Sequence, residues 1–97
     1  MHQQRAPWMF VAVYLLLLCE GQVLLLRRHN TGYEDGNNSV IAGHVDPGEC
    51  VTQALIRKAA EEAGMQLNEA EVHFVHVVQH QGADGPVYLD CFFLAEH

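Results

Sequence analysis

Between Gly43 and Met65 the chain carries Glu49, Arg57, Glu61 and Glu62, with Lys58 among them. On a helix advancing 100° per residue, Lys58, Glu61 and Glu62 share a sector of roughly 100°, with Arg57 at its edge. Two carboxylates near the end of one helix face, beside a glycine that lets a backbone carbonyl come close, make a hard, oxygen-rich donor set. That set suits Mg²⁺ or Mn²⁺. Such an ion would bridge a pyrophosphate, neutralise developing charge and activate water for attack on phosphorus. An isolated Glu-Glu pair is usually solvated helix surface, so the reading depends on the residues around it.

Those residues follow a long pattern. Gly43 is followed by five residues and Glu49, then by seven residues and Arg57, and the run closes as Lys58, Ala59, Ala60, Glu61, Glu62, Ala63, Gly64, Met65. This resembles the Nudix (MutT-like) box, with Lys58 standing where that family has Glu. The resemblance extends upstream through VLLLRR and NTGYEDG and downstream into two late strand-like runs. It implies metal ligands at Glu61, Glu62, the Gly43 carbonyl and Glu49. It also implies that Arg57 orients a neighbouring carboxylate, so that Arg57, Glu61 and Glu62 form the catalytic set. Read from chemistry alone, Glu49 closes a helix N-terminus, and Arg27 and Arg28 either meet substrate phosphates or are solvated.

Lys58 is the main departure. A protonated lysine neither coordinates a metal nor acts as a base, and the general base is therefore unassigned. Three and four residues before Glu61 and Glu62, it is spaced to pair with them. It is expected to replace part of a metal's charge and to weaken metal affinity. The aromatic residue and proline common in related sequences are absent at Asn38 and Ile41. A later acidic ligand, common in the family, has only Asp90 and Glu96 as candidates, by chemistry alone.

Several elements must hold these groups in place. Trp8 to Cys19 is an uninterrupted apolar run behind Arg5, too short for a membrane span. It reads as a buried strand, with a signal-peptide core or a lipoprotein segment acylated at Cys19 as the competing reading. Glu20-Gly21 is a tight turn and Gln22 to Arg28 a second strand, together a hairpin. His29 to Asn38 is a polar loop, in which Tyr33 either stacks on a base or packs locally. Ser39 to Val45 is a brief strand ending at Gly43. Asp46-Pro47-Gly48-Glu49 offers a cap, a proline at the first helical position and a Glu three residues on. A helix over 47–63 follows, with Val51, Leu55, Ala59 and Ala63 toward the core and Gly64 as its stop. Val72 to His80 and Pro86 to Ala95 read as a hairpin of strands around the turn at Gln81 to Gly85. In that reading His73 falls opposite His76 and His80, which argues against a histidine metal site.

The 97 residues carry 12 acidic and 5 basic side chains, a formal charge of −7. This excludes sequence-independent nucleic-acid binding, which needs clustered cations. Three widely spaced cysteines without a paired motif indicate a reducing compartment and small, buried or semi-buried apolar roles. The expected fold is one α+β domain over 1–97, a Nudix-type α/β/α sandwich with a mixed sheet, lacking a C-terminal strand and closing helix. The resemblance implies a cytoplasmic pyrophosphohydrolase that uses Mg²⁺ or Mn²⁺ on a nucleotide-derived small molecule. No nucleic-acid polymer or membrane is expected as partner, and a homodimer is compatible with the sequence. The alternatives are a catalytically weakened nucleotide-binding module or a truncated product that folds with a partner.

Overall fold

The computed structural model describes residues 9–27, 38–83 and 85–96. Its centre is β1 (Phe10–Cys19), the apolar run read as a strand rather than a targeting segment. Val13, Leu15 and Leu17 point to one face and are buried, the period of two that a pleated strand requires. At the end of β1 both Glu20 (φ 52°) and Gly21 (φ 79°) adopt left-handed backbone conformations. This is the two-residue hairpin turn whose twist matches antiparallel strands. It returns the chain as β2 (Gln22–Val23), with Leu18 opposite Val23.

The second strand is shorter than the sequence suggests. It leaves β1 after Val23, and a separate pair forms between β3 (Leu26–Arg27) and β4 (Asn38–Ser39). The cause is competition for one edge. β5 (Ile41–His44) takes the same side of β1, pairing with Ala12 to Leu15, so β2 cannot run further along it. The expected strand from Ser39 to Val45 is likewise split at Val40, because Asn38–Ser39 pairs with β3 and Ile41–His44 with β1. Arg28 and residues 29–37 of the polar loop, Tyr33 among them, lie outside the described residues.

The other edge of β1 pairs in parallel with β7 (Val87–Glu96), from Phe10 opposite Tyr88 to Leu18 opposite Glu96. β6 (His73–Gln81) pairs antiparallel with β7 and completes the expected hairpin. The sheet is therefore mixed. Its inner face, with Leu15, Leu17, Ile41, Phe93 and Ala95, receives Ala54, Leu55 and Ala59 of the helix α1 (Val51–Ala63). Alanine at two of those three helical positions lets the axis approach the sheet closely. Among the described residues no helix covers the outer face.

Three expectations require correction. The helix begins at Val51, not at residue 47. Asp46 to Glu49 is a turn closed by Glu49 N–H donating to the Asp46 carbonyl (3.1 Å), with Gly48 at φ 81°. Proline followed by a glycine of positive φ is a type II turn, which a helical first turn cannot contain. Cys50 is the cap, and its N–H donates to the Gln53 side chain at 2.8 Å. The helix end is as expected, with Gly64 left-handed (φ 66°) and its N–H bonded to the Ala60 carbonyl. Second, a register irregularity between Phe74 and His76 pairs His73 with Leu94 and His76 with Phe92. Partners in a ladder share a face, so the extra residue brings His73 to the same side as His76 and His80. Third, only Cys91 is buried. Cys19 ends a hairpin strand and Cys50 caps a helix, and both are exposed.

Leu15 is fully buried at the centre of this core. Leu15→Ala is expected to lower unfolding free energy by about 2–5 kcal/mol, read from the shift in a urea or guanidinium midpoint.

Candidate active site

The turn before α1 and the outer edge of β5 converge on Arg57. Its guanidinium forms a two-pronged bond with Glu49: Nε donates to Oε2 at 2.8 Å and Nη2 to Oε1 at 2.9 Å. Nη2 also donates to the His44 carbonyl (3.1 Å) and lies 3.3 Å from Asp46 Oδ2. Nη1 donates to Glu61 Oε1 at 3.0 Å, one helical turn on. One side chain thus ties the pre-helical turn, the β5 backbone and the helix surface together. Glu49 gains a further bond, because Oε1 accepts the Asp46 N–H at 3.0 Å. The Arg57 hydrogen bonds come first and this backbone bond second in holding the Glu49 carboxyl at about 2, well below the usual range. The Glu49 bond is also the main cause that raises Arg57 above its ordinary value.

Glu61 and Glu62 are exposed at the last turn of α1. Glu62 Oε1 accepts the N–H of Ala42 at 3.3 Å, which places it on β5 one residue from Gly43. Gly43 itself pairs with Val13 in the β1 ladder. The Lys58 side chain packs against this glycine. A Cβ there would stand 2.5 Å from Lys58 Cδ and 2.8 Å from Cγ, so the lysine stem lies directly across the Gly43 backbone. The Lys58 ammonium ends 3.6 Å from Glu61 Oε1, and only a quarter of its side chain is exposed.

The box residues are therefore assembled, but unequally engaged. Both oxygens of Glu49 are bound to Arg57, whereas Glu61 and Glu62 each use one oxygen in the contacts above. Among the described residues no three His, Cys, Asp or Glu side chains converge as a metal cluster. The expected Gly43 ligand requires correction: Val45 N–H donates to the Val11 carbonyl, so the alternation of the antiparallel ladder turns the Gly43 carbonyl inward to Val13. The donors that remain, the two carboxylates, fit one hard divalent ion, since Mg²⁺ commonly uses one or two carboxylates with water and substrate phosphates. Of the two late acids, Asp90 lies on the opposite face of the sheet and Glu96 ends β7 across from Leu18. Arg27 is placed in β3 by its backbone pairing with Asn38. His44 was not singled out in the sequence. Its role here comes through its carbonyl, which no side-chain pattern encodes.

A mixed sheet carrying one helix, with a glycine strand, a Glu–Arg clamp and paired glutamates at the helix end, defines a Nudix-type site. A profile of the NUDIX domain family matches residues 9–97. The chain belongs to that family. It is 34% identical over 83 residues to the NAD-capped RNA hydrolase NudC of Stutzerimonas stutzeri, covering 86% of this chain and 28% of that protein. A MutT/nudix family protein from Enterococcus faecalis superposes with a TM-score of 0.80 at 18% identity, over 99% of this chain and 39% of the other. The NUDIX domain of Shewanella oneidensis NrtR, solved with ADP-ribose, gives a TM-score of 0.73 at 21% identity, covering 95% and 62%. The chain thus spans about a quarter to two-thirds of these relatives' lengths. Nudix hydrolases generally use divalent metals. No helix of the described residues is long and apolar enough to cross a membrane.

The Glu49 carboxyl has a pH signature. Its folded value is depressed from 4.5 to about 2, so its contribution to stability is present above 4.5 and is lost as pH falls from 4.5 toward 2. Thermal midpoints recorded across that window should fall more steeply for the wild type than for Glu49→Gln, which has no carboxyl to protonate.

Proposed function

We propose that this chain hydrolyses the pyrophosphate of a nucleoside diphosphate linked to another moiety. Water attacks phosphorus, the P–O–P bridge breaks, and two phosphate-bearing products leave. The observation that carries this reading is the placement of Glu62 against Ala42, next to Gly43, with Glu61 beside it on the helix, each with an oxygen outside the Arg57 and β5 contacts. The NAD-capped RNA hydrolase and the ADP-ribose-bound domain support it, because NAD and ADP-ribose both contain such a pyrophosphate.

In this reading Glu61 and Glu62 hold one Mg²⁺ or Mn²⁺, while the Gly43 carbonyl is engaged in the β1 ladder. When bound, the ion supplies Lewis-acid polarisation of the phosphate and a more acidic water. Arg57 fixes the orientation of Glu61 and, through Glu49, the start of the helix that presents both glutamates. Glu49 joins the metal only at the expense of its Arg57 bonds, so its part is chiefly positional. Arg27 and Arg28 are the substrate-phosphate candidates. Lys58, protonated and laid over Gly43, stands where the family's further Glu would be and takes no base role. The general base is unassigned among these residues. The active form is cytoplasmic and compatible with a homodimer. The alternative, a nucleotide-binding module with little turnover, draws on the Lys58–Glu61 contact, which sets a cation against a metal-ligand carboxylate.

Incubation with Mg²⁺ or Mn²⁺ and a panel of nucleotide sugars, dinucleotides and nucleoside triphosphates separates the two. Turnover that falls at least about a hundredfold in Glu62→Gln supports hydrolysis by this site. Nucleotide binding without turnover supports the module.

Lys58 gives a second test that does not depend on activity. Replacing an ammonium by a carboxylate beside two glutamates raises the ligand charge available to a cation. Mn²⁺ titrated into Lys58→Glu, followed by electron paramagnetic resonance, should bind about tenfold or more tightly than to the wild type. Equal affinities would remove Lys58 from the metal site.

A further inference from the structure

Lys58 is the only lysine among the 97 residues, and the chemistry above gives its ammonium no part in holding a ligand. Its four-carbon stem runs from α1 over the Gly43 backbone, in the space that a side chain at position 43 would fill. Gly43 stands opposite Val13, which is fully buried on the inner face, so the stem is packed between helix and sheet. Only a quarter of the side chain is exposed. The apolar stem is covered and the charged head is carried to an edge. That edge is where Glu61 and Glu62 leave the end of α1.

The head has little to bond with there. The carboxylate oxygen closest to it, Glu61 Oε1, is 3.6 Å away, beyond a good hydrogen bond. That oxygen already accepts from Arg57 Nη1 at 3.0 Å. Glu62 Oε1 accepts from the Ala42 N–H instead. Among the described residues no acceptor lies within hydrogen-bonding distance of Lys58 Nζ. An ammonium carries three N–H donors, so a partly enclosed one with no bond to the protein is set to receive an acceptor from outside.

The surrounding charges say which kind of acceptor. Glu49 is neutralised by its two-pronged bond to Arg57. Asp46 contacts Arg57 rather than Lys58 and is largely open to water. Glu61 and Glu62 together balance one divalent ion before Lys58 is counted. With that ion in place, the ammonium is the positive charge left over at this end of the helix. An anionic oxygen answers that surplus, and a bound Mg²⁺ ordinarily completes its shell with water and substrate phosphates. Lysine meets a phosphate as a compact point charge, whereas a carboxylate at position 58 would repel the same oxygen.

We propose that Lys58 is a substrate-binding residue whose ammonium donates to a non-bridging oxygen of the phosphate that the divalent ion takes up. This rests on the pyrophosphate-hydrolase reading above and deepens it by placing a phosphate contact on the helix itself. The residue then has two opposed effects. It weakens binding of the bare ion, through repulsion beside Glu61, and strengthens binding of a diphosphate together with the ion. A lysine that merely obstructs the site has only the first effect.

The opposition is measured by calorimetry on the wild type and Lys58→Met, whose unbranched side chain keeps the cover over Gly43 without the charge. The probes are Mn²⁺ alone and, at saturating Mn²⁺, α,β-methylene-ADP, a diphosphate analogue whose P–C–P bridge resists hydrolysis. Lys58→Met should bind Mn²⁺ at least as tightly as the wild type, and the analogue about tenfold or more weakly. Analogue binding within about threefold of the wild type, or tighter, overturns the assignment and leaves the hydrolase reading intact. So does weaker Mn²⁺ binding by the variant, since the ammonium would then be organising the ion's site. A second readout needs no variant. With one lysine in the chain, protein labelled with ¹³C,¹⁵N-lysine gives a single Cε–Nζ signal. Adding the analogue with Mg²⁺, in place of paramagnetic Mn²⁺, should shift that signal beyond its position with Mg²⁺ alone. An unmoved signal in the formed complex overturns the assignment, and this readout decides by itself if Lys58→Met does not fold. If the wild type binds Mn²⁺ but not the analogue, the pyrophosphate reading itself fails and this inference falls with it.

Discussion

The two-pronged bond between Arg57 and Glu49 is the constraint on which the site depends. Isolated surface ion pairs contribute little, because water screens them and two long side chains must be immobilised. This pair differs in geometry. It is charge-assisted at both oxygens, and the same guanidinium reaches the β5 backbone and Glu61. Helix, turn and strand are joined through one planar group. Lysine, with a single ammonium, has no equivalent fork.

Around that clamp the charges are unbalanced. Among the described residues Asp46, Glu49 and Glu61 pair with Arg57 and Lys58, and Glu62 adds a fourth carboxylate beside them. The excess of carboxylates favours a cation and opposes a bare polyphosphate, so any anionic ligand needs a counterion to approach. The chain's overall acidity therefore does not argue against phosphate chemistry, since its sign at the site matters together with the ion expected there. Lys58 moderates the excess, and its stem lies where a side chain at Gly43 would stand.

Much of this was legible in the sequence because it depends on spacing. The separations from Gly43 to Glu49, Arg57, Glu61 and Glu62 identify the box, and the Glu20-Gly21 turn and Gly64 stop follow from backbone preferences. What was not legible depends on competition between distant segments. Asp46 to Glu49 satisfies the rules for a helix start and for a type II turn, and the Arg57–Glu49 contact eight residues on accompanies the turn. The long apolar run after Gly21 is a sound strand pattern, yet β5 takes the edge it would have used. The misplacement of His73 turned on a single extra residue in β6, which inverts the face of everything before it. Asp90 was noticed only as a carboxylate. Its place on the far face of the sheet arises from the parallel pairing of β1 and β7, strands at opposite ends of the chain.

The contacts of Glu62 and Arg57 with β5 have a meaning apart from chemistry. The Ala42 N–H and His44 carbonyl belong to the outward margin of a strand, where unsatisfied backbone groups invite another chain to add itself to the sheet. Here a helix supplies partners for these two groups from its own side chains, and the margin is less open to pairing. The residues that would handle the ligand are therefore also guards against self-association. An acceptor at Glu62 and a donor at Arg57 therefore serve the strand edge whether or not the site turns over a ligand.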